Sequence, residues 1–497
     1  MDKNEITDDI LFSFGIKKLR DEQKTIINNI VTSKRDLIAI MATGGGKTLC
    51  FMIASYIFKG ITIIIYPLLS LINDQKKRFD KSPLKAFTLI GGQTSKQRKG
   101  IFEKLESLET AVVLTNPETL IQKNVLNELK KHKISLLVID EAHTVVEWGE
   151  TFRDSFIKLT EITEELKPHK VLSFTATLTK ESEEKLKNYI YSKRNVSVIR
   201  FSSNRKNISY KACPSLSRQK TVIDILTHTS LPAVVFTKTR SDAKNYASYI
   251  AEHTSLKTLY YHAGCSKEHK KRTEEEFEKS TNAVLCATSA YGMGVDKKNI
   301  RTVIHVSAWQ KVSEYIQEAG RCGRDGEKAT SYVIIKKEDM HHASETAKIF
   351  LNQNECIRKN LLKSMGEDLT DTQCDCSVCL NENFVAKGEA ELLNLIKVYN
   401  GHFTKRSLID FLKEKDNSVE RYLYKDHSFK NWGDICLKDA VETLIKNNDI
   451  TLIGKYIYLC PLKKFELLKK RLYNIIYDFK QKHLSKLVWQ KCLGKQR

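Results

Sequence analysis

Short apolar runs alternate with longer amphipathic stretches from about residue 25 to residue 340. The first series of runs lies at 36–41, 61–67, 111–115, 135–141 and 171–176, and the second lies at 231–237, 256–262, 283–288, 301–306 and 330–335. Continuous apolar runs of this length are typical of strands buried on both faces, and the stretches between them are long enough for helices. The pattern therefore predicts two parallel-sheet α/β units in tandem, with a linker near residues 195–215, where the sequence turns polar.

The periodicity changes beyond residue 382, where three stretches place apolar residues at helical spacing. A fourth stretch, ITLIGKYIYL (450–459), has a central Gly-Lys between two apolar arms, which predicts a short hairpin. Three helices and a hairpin are typical of a winged helix, here over residues 383–460. Residues 461–497 carry eleven Lys and Arg against two acids, which predicts a basic helix that either contacts nucleic acid or is simply solvated.

The overall charge points to a polyanionic partner. Lys and Arg total 82 and Asp and Glu total 60, a net charge of +22 that favours nucleic acid, although a lysine-rich source proteome would give the same excess. With 41% hydrophobic and 29% charged residues the chain is not of the disordered class. The longest apolar runs are strand-sized and the first residues lack a signal-peptide pattern, so we expect an intracellular protein without a membrane span.

A glycine-rich loop follows the first predicted strand, in DLIAIMATGGGKTLCF (36–51). Glycines let backbone N–H groups wrap closely around phosphates at the start of a helix. Lys47 would neutralise the β- and γ-phosphates, and the Thr48 hydroxyl would bind Mg²⁺. The predicted nucleotide-binding loop consists of Met41, Ala42, Thr43, Gly44, Gly45, Gly46, Lys47 and Thr48.

Two adjacent carboxylates end another predicted strand, in SLLVIDEAH (135–143). Ligands bind at the carboxyl ends of strands in sheets of this kind. We assign Asp140 to Mg²⁺ and Glu141 to the attacking water, which a general base must orient and deprotonate. His143 is placed to connect this site with its surroundings.

Four of the twelve cysteines lie close together, at Cys356, Cys374, Cys376 and Cys379. In a chain without a secretion signal this favours a metal site over a disulfide framework. Four thiolates in a tetrahedral array are typical of structural zinc, and His341 and His342 are less favoured as ligands.

Over residues 8–380 these motifs, in this order, resemble the RecQ family of superfamily-2 DNA helicases. FGIKKLRDEQ (14–23) is similar to the family's adenine-recognition motif, which implies that Gln23 reads the adenine edge and that Arg20 packs nearby. DEAHTVVEWGETFRDSF (140–156) resembles its aromatic-rich loop. The resemblance implies that Trp148 and Phe152 stack on bases, that Arg153 binds phosphate, and that the loop reports bound DNA to the hydrolysis site.

The second α/β unit resembles the family as well. VVFTKTRSDA (234–243), YYHAGCS (260–266) and the segment 287–305 imply a grip on the DNA backbone through Thr237, Arg240, His262, Thr288 and Lys297. SEYIQEAGRCGRDGE (313–327) implies that Gln317, Arg321 and Arg324 face the nucleotide across a cleft. SFTATLT (173–179) implies that Thr175 and Thr177 link the two units.

The resemblance implies two RecA-like lobes at 1–200 and 210–345, a zinc-binding helical subdomain at 346–382, and then the winged helix and the basic tail. The hairpin tip, at Gly454, Lys455 and Tyr456, would separate strands. The implied activity is ATP-driven 3′→5′ translocation on single-stranded DNA with unwinding at duplex junctions, using ATP, Mg²⁺ and Zn²⁺.

Two other functions stay open from the sequence, an RNA helicase and an annealing or remodelling ATPase with little unwinding. The aromatic-rich loop and the four cysteines favour the DNA-handling family. The presence of Lys47, Asp140, Glu141, Gln317 and Arg324 argues against an inactive ATPase.

Overall fold

A computed structural model of the chain describes residues 7–42, 44–149, 158–292, 297–308, 310–368, 373–413, 429 and 431–460. The predictions for Thr43, Phe152, Arg153 and the tail at 461–497 therefore lie outside the described residues. The chain divides into two compact units. One contains residues 1–211, 229–333 and 344–382, and the other contains 212–228, 334–343 and 383–497.

The first predicted α/β unit is a seven-stranded sheet in the order β3-β4-β2-β5-β6-β1-β7, and its neighbouring strands are parallel. Its strands are β1 (Asp36–Ile40), β2 (Gly60–Ile65), β3 (Ala86–Leu89), β4 (Thr110–Thr115), β5 (Ile134–Asp140), β6 (Lys170–Thr175) and β7 (Val196–Arg200). Every residue of β1, β5 and β6 is buried, as the continuous apolar runs predicted. Residues of alternating parity in β1 enter two separate apolar cores, one on each face of the sheet.

Helices connect successive strands, as a parallel sheet requires, and two further helices precede β1. They are α1 (Asp8–Ser13), α2 (Asp21–Thr32), α3 (Lys47–Ile57), α4 (Leu69–Phe79), α5 (Ser95–Glu106), α6 (Pro117–Leu120), α7 (Lys123–Leu129), α8 (His143–Gly149), α9 (Leu159–Leu166) and α10 (Lys180–Ile190). Trp148 belongs to α8, and base stacking by its side chain stays a prediction.

The second predicted α/β lobe contains a six-stranded sheet in the order β10-β11-β9-β12-β13-β8. Its strands are β8 (Ile208–Pro214), β9 (Ala233–Phe236), β10 (Lys257–Tyr261), β11 (Ala283–Ala287), β12 (Thr302–His305) and β13 (Ala329–Ile335). The helices along this part of the chain are α11 (Arg218–His228), α12 (Arg240–His253), α13 (Lys267–Lys279) and α14 (Val312–Ala319), with 3₁₀ turns at Ser289–Gly292 and Lys337–His342. The expected two parallel-sheet, RecA-like lobes are confirmed.

The linker between the sheets is shorter than the sequence indicated. The predicted span, 195–215, contains all of β7 and β8, so only residues 201–207 connect the two lobes. β7 is half-buried along its whole length, and its mixed sequence, VSVIR, hid the strand.

The remaining helices are α15 (Glu345–Leu351), α16 (Ile357–Ser364), α17 (Glu389–Val398), α18 (Lys405–Leu412) and α19 (Asp434–Lys446). β14 (Ile450–Ile453) and β15 (Tyr456–Leu459) form the predicted antiparallel hairpin. The described helices include none with the length and apolarity that a membrane crossing needs.

Two glycines near the hairpin offer a matched stability test. Gly401 and Gly454 both have left-handed backbones, with φ of +79° and +61°. A Cβ at Gly401 would lie 2.5 Å from Cε1 of Tyr458, whereas nothing lies within 4 Å of one at Gly454. Gly454→Ala should cost about 1–2 kcal/mol from backbone strain alone, and Gly401→Ala should cost roughly 1–3 kcal/mol more from overpacking.

Calorimetric unfolding of both variants checks this difference. Equal losses of stability would contradict the described packing of Tyr458 on Gly401.

Candidate active site

The glycine-rich loop joins β1 to α3, as predicted, and needs glycine at its end. Gly44 and Gly46 have φ of +81° and +83°, in the left-handed region that disfavours other residues. Gly46 is also the N-cap of α3, and a Cβ there would lie 2.2 Å from Nε2 of Gln23. Lys47 and Thr48 are the first two residues of α3, where the partial positive charge of a helix N-terminus attracts phosphate.

Arg20 and Gln23 hold this loop from the start of α2. Oε1 of Gln23 accepts a hydrogen bond from the backbone N of Arg20 at 3.0 Å, and its Nε2 donates to the Gly45 carbonyl at 3.1 Å. Nη1 of Arg20 donates to the Gly44 carbonyl at 2.9 Å. The structure thus brings both residues to the phosphate loop, and recognition of adenine by Gln23 stays a prediction.

The two carboxylates lie at the carboxyl end of β5, beside the loop. Nζ of Lys47 lies 3.2 Å from Oε1 of Glu141, whose backbone has a left-handed φ of +51°. Burial would raise the pKa of Glu141, but Lys47, with His143 and Arg321, more than offsets burial and holds that pKa below its usual range. Burial raises the pKa of Asp140 to about 6 despite Lys47.

A divalent cation fits this arrangement. Asp140 is buried, and the hydrogen bond given to its carboxylate comes from the backbone N of Glu141 at 3.0 Å, so a cation would favour its charged form. Carboxylate and hydroxyl oxygens, from Asp140 and Thr48, are ligands that Mg²⁺ takes in proteins.

A hydrogen-bonded chain crosses from the first lobe to the second. Nδ1 of His143 lies 2.9 Å from Oγ1 of Thr175 and 3.5 Å from Oε2 of Glu141. Nε2 of Gln317, in α14, donates to Oγ1 of Thr177 at 2.8 Å and to Nε2 of His143 at 3.3 Å. Because the amide of Gln317 donates to Nε2 of His143, the neutral imidazole of His143 carries its proton on Nδ1. The 3.5 Å contact between His143 and Glu141 extends this chain from the opposite lobe to the carboxylate after β5.

Two arginines follow α14 and complete the cleft. Arg321 is 6% exposed, and burial, with repulsion from Arg324, lowers its pKa to about 10, so it stays charged at neutral pH. Arg324 lines a cavity of about 320 Å³ together with Arg20, Gly44 and Gly45. Concentrated positive charge from both lobes around one glycine loop fits a triphosphate.

Three residues of the predicted DNA grip are buried in the structure. Lys297 is only 2% exposed, and its Nζ donates to the Glu278 and Ser280 carbonyls at 3.0 and 2.9 Å, at the C-terminus of α13. There the ammonium completes orphan carbonyls and complements the helix dipole. Buried Thr237 donates to the Ala287 carbonyl at 3.4 Å, and Thr288 is buried as well. These contacts give Lys297 a structural role, and DNA contact by the three residues stays a prediction.

Arg240 and His262 are placed differently from these three. They lie together beside Gly264, where a Cβ would be 3.1 Å from Nη1 of Arg240 and 3.4 Å from Nδ1 of His262. Arg240 is exposed and His262 is partly exposed. Burial and then Arg240 lower the pKa of His262, so its ring is neutral at pH 7. Both remain candidates for a backbone contact.

The sequence did not point to Arg205 and Asn207, which also line the cavity. Both lie in the segment that connects the lobes, whose polar residues were interpreted as linker. The signal that could have identified this site is an arginine, Arg205, between strands of two different sheets.

The four predicted cysteines converge. Their sulfurs all lie within 4.8 Å of one another, with Sγ of Cys356 3.5 Å from that of Cys374 and 3.9 Å from that of Cys376. Four sulfurs about 2.3 Å from a tetrahedral zinc would be roughly 3.8 Å apart. Hydrogen bonds from Cys356 and Cys374 hold the pKa of the Cys376 thiol well below its usual range. The cluster is therefore compatible with a zinc ion.

Comparison with known proteins agrees with this geometry. Residues 20–186 match the DEAD/DEAH box helicase family and residues 217–326 match the helicase conserved C-terminal domain. The chain is 34% identical over 436 residues to the probable ATP-dependent DNA helicase RecS of Bacillus subtilis, with 86% of each chain covered. It is 28% identical to the ATP-dependent DNA helicase RecQ of the same organism, covering 74% of this chain and 65% of RecQ, just under two thirds.

Among solved structures, the helicase Lhr of Mycobacterium smegmatis, bound to ssDNA and AMP-PNP, aligns with a TM-score of 0.53 at 16% identity. The alignment covers 68% of this chain and 47% of Lhr, and it indicates a shared fold.

Glu141→Gln should preserve the shape of the site and lower ATP hydrolysis by about 100-fold or more, because the amide cannot accept the proton of the attacking water. ATP binding should persist, because Lys47 stays in place. Single-turnover hydrolysis and equilibrium nucleotide binding separate the two effects. The matched control is Glu109→Gln, whose side chain is 72% exposed and pairs with Lys59. Parent-like hydrolysis by Glu141→Gln would remove this residue as the base.

Proposed function

This chain belongs to the RecQ family of ATP-dependent DNA helicases, and on that basis we propose that it moves 3′→5′ along single-stranded DNA and unwinds duplex junctions ahead of it. The observation that carries the proposal is the chain of contacts Glu141–His143–Gln317, which joins the hydrolytic carboxylate to the second lobe. Hydrolysis that depends on both lobes is coupled to their relative position, and relative motion of two DNA-binding lobes produces stepping.

Each residue of the cleft has a role that follows from its position. The backbone N–H groups of the glycine loop and Lys47 bind the phosphates, and Glu141 accepts a proton from water. Arg321 and Arg324 stabilise the charge that develops on the transferred phosphoryl group. Mg²⁺, held by Thr48 and Asp140, would neutralise phosphate charge and orient the phosphate oxygens.

Two surfaces are proposed to contact DNA. The exposed guanidinium of Arg240, with the neighbouring His262, is suited to a phosphate in the second lobe. In the first lobe, Trp148, Phe152 and Arg153 follow the DEAH motif in sequence. Bases that stack there would therefore influence Glu141 across only a few residues of the chain. The names of the relatives favour DNA over RNA as the substrate.

Strand displacement on tailed duplexes tests the direction. The chain should unwind a duplex with a 3′ single-stranded DNA tail in the presence of ATP and Mg²⁺, and should leave a duplex with only a 5′ tail intact. Lys47→Ala is the control for ATP dependence. Preference for the 5′ tail would contradict the polarity, preference for RNA tails would support the RNA-helicase alternative, and ATP hydrolysis without displacement would support the remodelling ATPase.

We also propose that the four-cysteine cluster binds one structural zinc ion. Metal analysis of purified protein should find about one zinc per chain, because a closed four-thiolate site binds zinc tightly. Cys379→Ser should lower the zinc content, while Cys265→Ser, outside the cluster, should not. A folded parent protein that contains no metal would contradict the assignment.

A further inference from the structure

The segment that connects the two lobes, residues 201–207, is held by a buried arginine from the cysteine subdomain. Arg358, in α16, is 3% exposed. Its Nη1 donates to Oδ1 of Asn204 at 2.9 Å and to the Arg205 carbonyl at 2.8 Å. Its Nη2 donates to the Ile208 carbonyl at 2.6 Å and to Oδ1 of Asp375 at 3.1 Å.

A second group of the same subdomain holds the start of the connecting segment. The carboxylate of Glu367 accepts hydrogen bonds from Oγ of Ser202 at 2.9 Å and from the backbone N of Ser203 at 3.0 Å. The subdomain that carries the cysteines thus fixes both ends of the connection. The path of the segment is set by these contacts as well as by the two sheets it joins.

The side chains of the segment in turn hold the loop that carries the two cleft arginines. Arg205 donates to the carbonyls of Gly320 and Cys322 at 3.4 Å and of Gly323 at 2.5 Å. Nδ2 of Asn207 donates to the Gly323 and Glu327 carbonyls, both at 2.8 Å.

The packing between segment and loop leaves no room for adjustment. Gly323 has a φ of +59°, and a Cβ there would lie 2.5 Å from Nδ2 of Asn207. Arg321 and Arg324 stand on either side of this contact in the sequence, and Arg324 lines the nucleotide cavity. A shift of the connecting segment would therefore move both guanidinium groups.

We propose that Arg358 is a positioning residue for ATP hydrolysis. Through the connecting segment, and then through Arg205 and Asn207, it fixes Arg321 and Arg324 against the phosphate loop. The inference rests on the proposed hydrolysis in this cleft, and it links the cysteine subdomain to the cleft by named contacts. A guanidinium is needed because one rigid fork serves four acceptors, which the compact ammonium of a lysine cannot span.

Two variants test the proposal at the two ends of this chain of contacts. Arg358→Lys keeps the buried charge, and Asn207→Ala removes a half-buried side chain. Each should lower kcat for DNA-stimulated ATP hydrolysis by about 10-fold to 100-fold, as misplacement of transition-state groups does, and Arg358→Lys, which is remote from the cavity, should leave KM nearly unchanged. The matched control is Arg272→Lys on α13, where the side chain is 71% exposed. Zinc content should equal that of the parent in all three.

The double variant distinguishes positioning from general support of the fold. If Arg358 acts through the segment, Arg358→Lys combined with Asn207→Ala should lower kcat little more than the stronger single variant does. Three results would overturn the proposal. They are losses of kcat that multiply in the double variant, parent-like kcat in Arg358→Lys or in Asn207→Ala, and a kcat that falls only as zinc is lost. A parent protein that hydrolyses no ATP with single-stranded DNA present would instead refute the proposed function, and this inference with it.

Discussion

Three basic residues surround the carboxylate of Glu141, and the architecture of the cleft follows from that constraint. Lys47 reaches it from the phosphate loop and His143 from its own helix, while Arg321 contributes charge from the second lobe. Buried charges are stable only when they are paired and hydrogen-bonded, so the fold must place these residues next to one another. The first sheet supplies Lys47 and His143 from the loops at the carboxyl ends of β1 and β5, and the second lobe supplies Arg321 from the loop between α14 and β13.

Sequence reasoning succeeded where local pattern and chemistry coincide. The loop between β1 and α3, the carboxylates at the end of β5 and the four cysteines were all predicted by residue number, because each is set by a short motif. The long gap from Cys356 to Cys374 did not obscure the cluster, since the other three cysteines lie close together within residues 374–379. The apolar runs predicted most of the strands for the same local reason.

A residue's role is harder to predict from sequence where it depends on distant backbone. Lys297 is a cation in a motif associated with DNA, yet it completes the end of α13, and no local pattern distinguishes the two uses. Arg205 and Asn207 were hidden in a polar stretch that resembled a linker. Their partners lie more than 100 residues away, on the loop after α14, and only the assembled fold shows them.

The proposed coupling of hydrolysis to the second lobe depends on the contact between His143 and Gln317. A double-mutant cycle on that pair tests this coupling most directly. The quantity to measure is the ratio of ATP turnover with single-stranded DNA to turnover without it, in His143→Ala, Gln317→Ala and the double variant. Each single change should remove most of the stimulation, and the double should be little worse, a coupling of about 0.5–3 kcal/mol. Full stimulation in both single variants, or effects that simply multiply, would contradict the account.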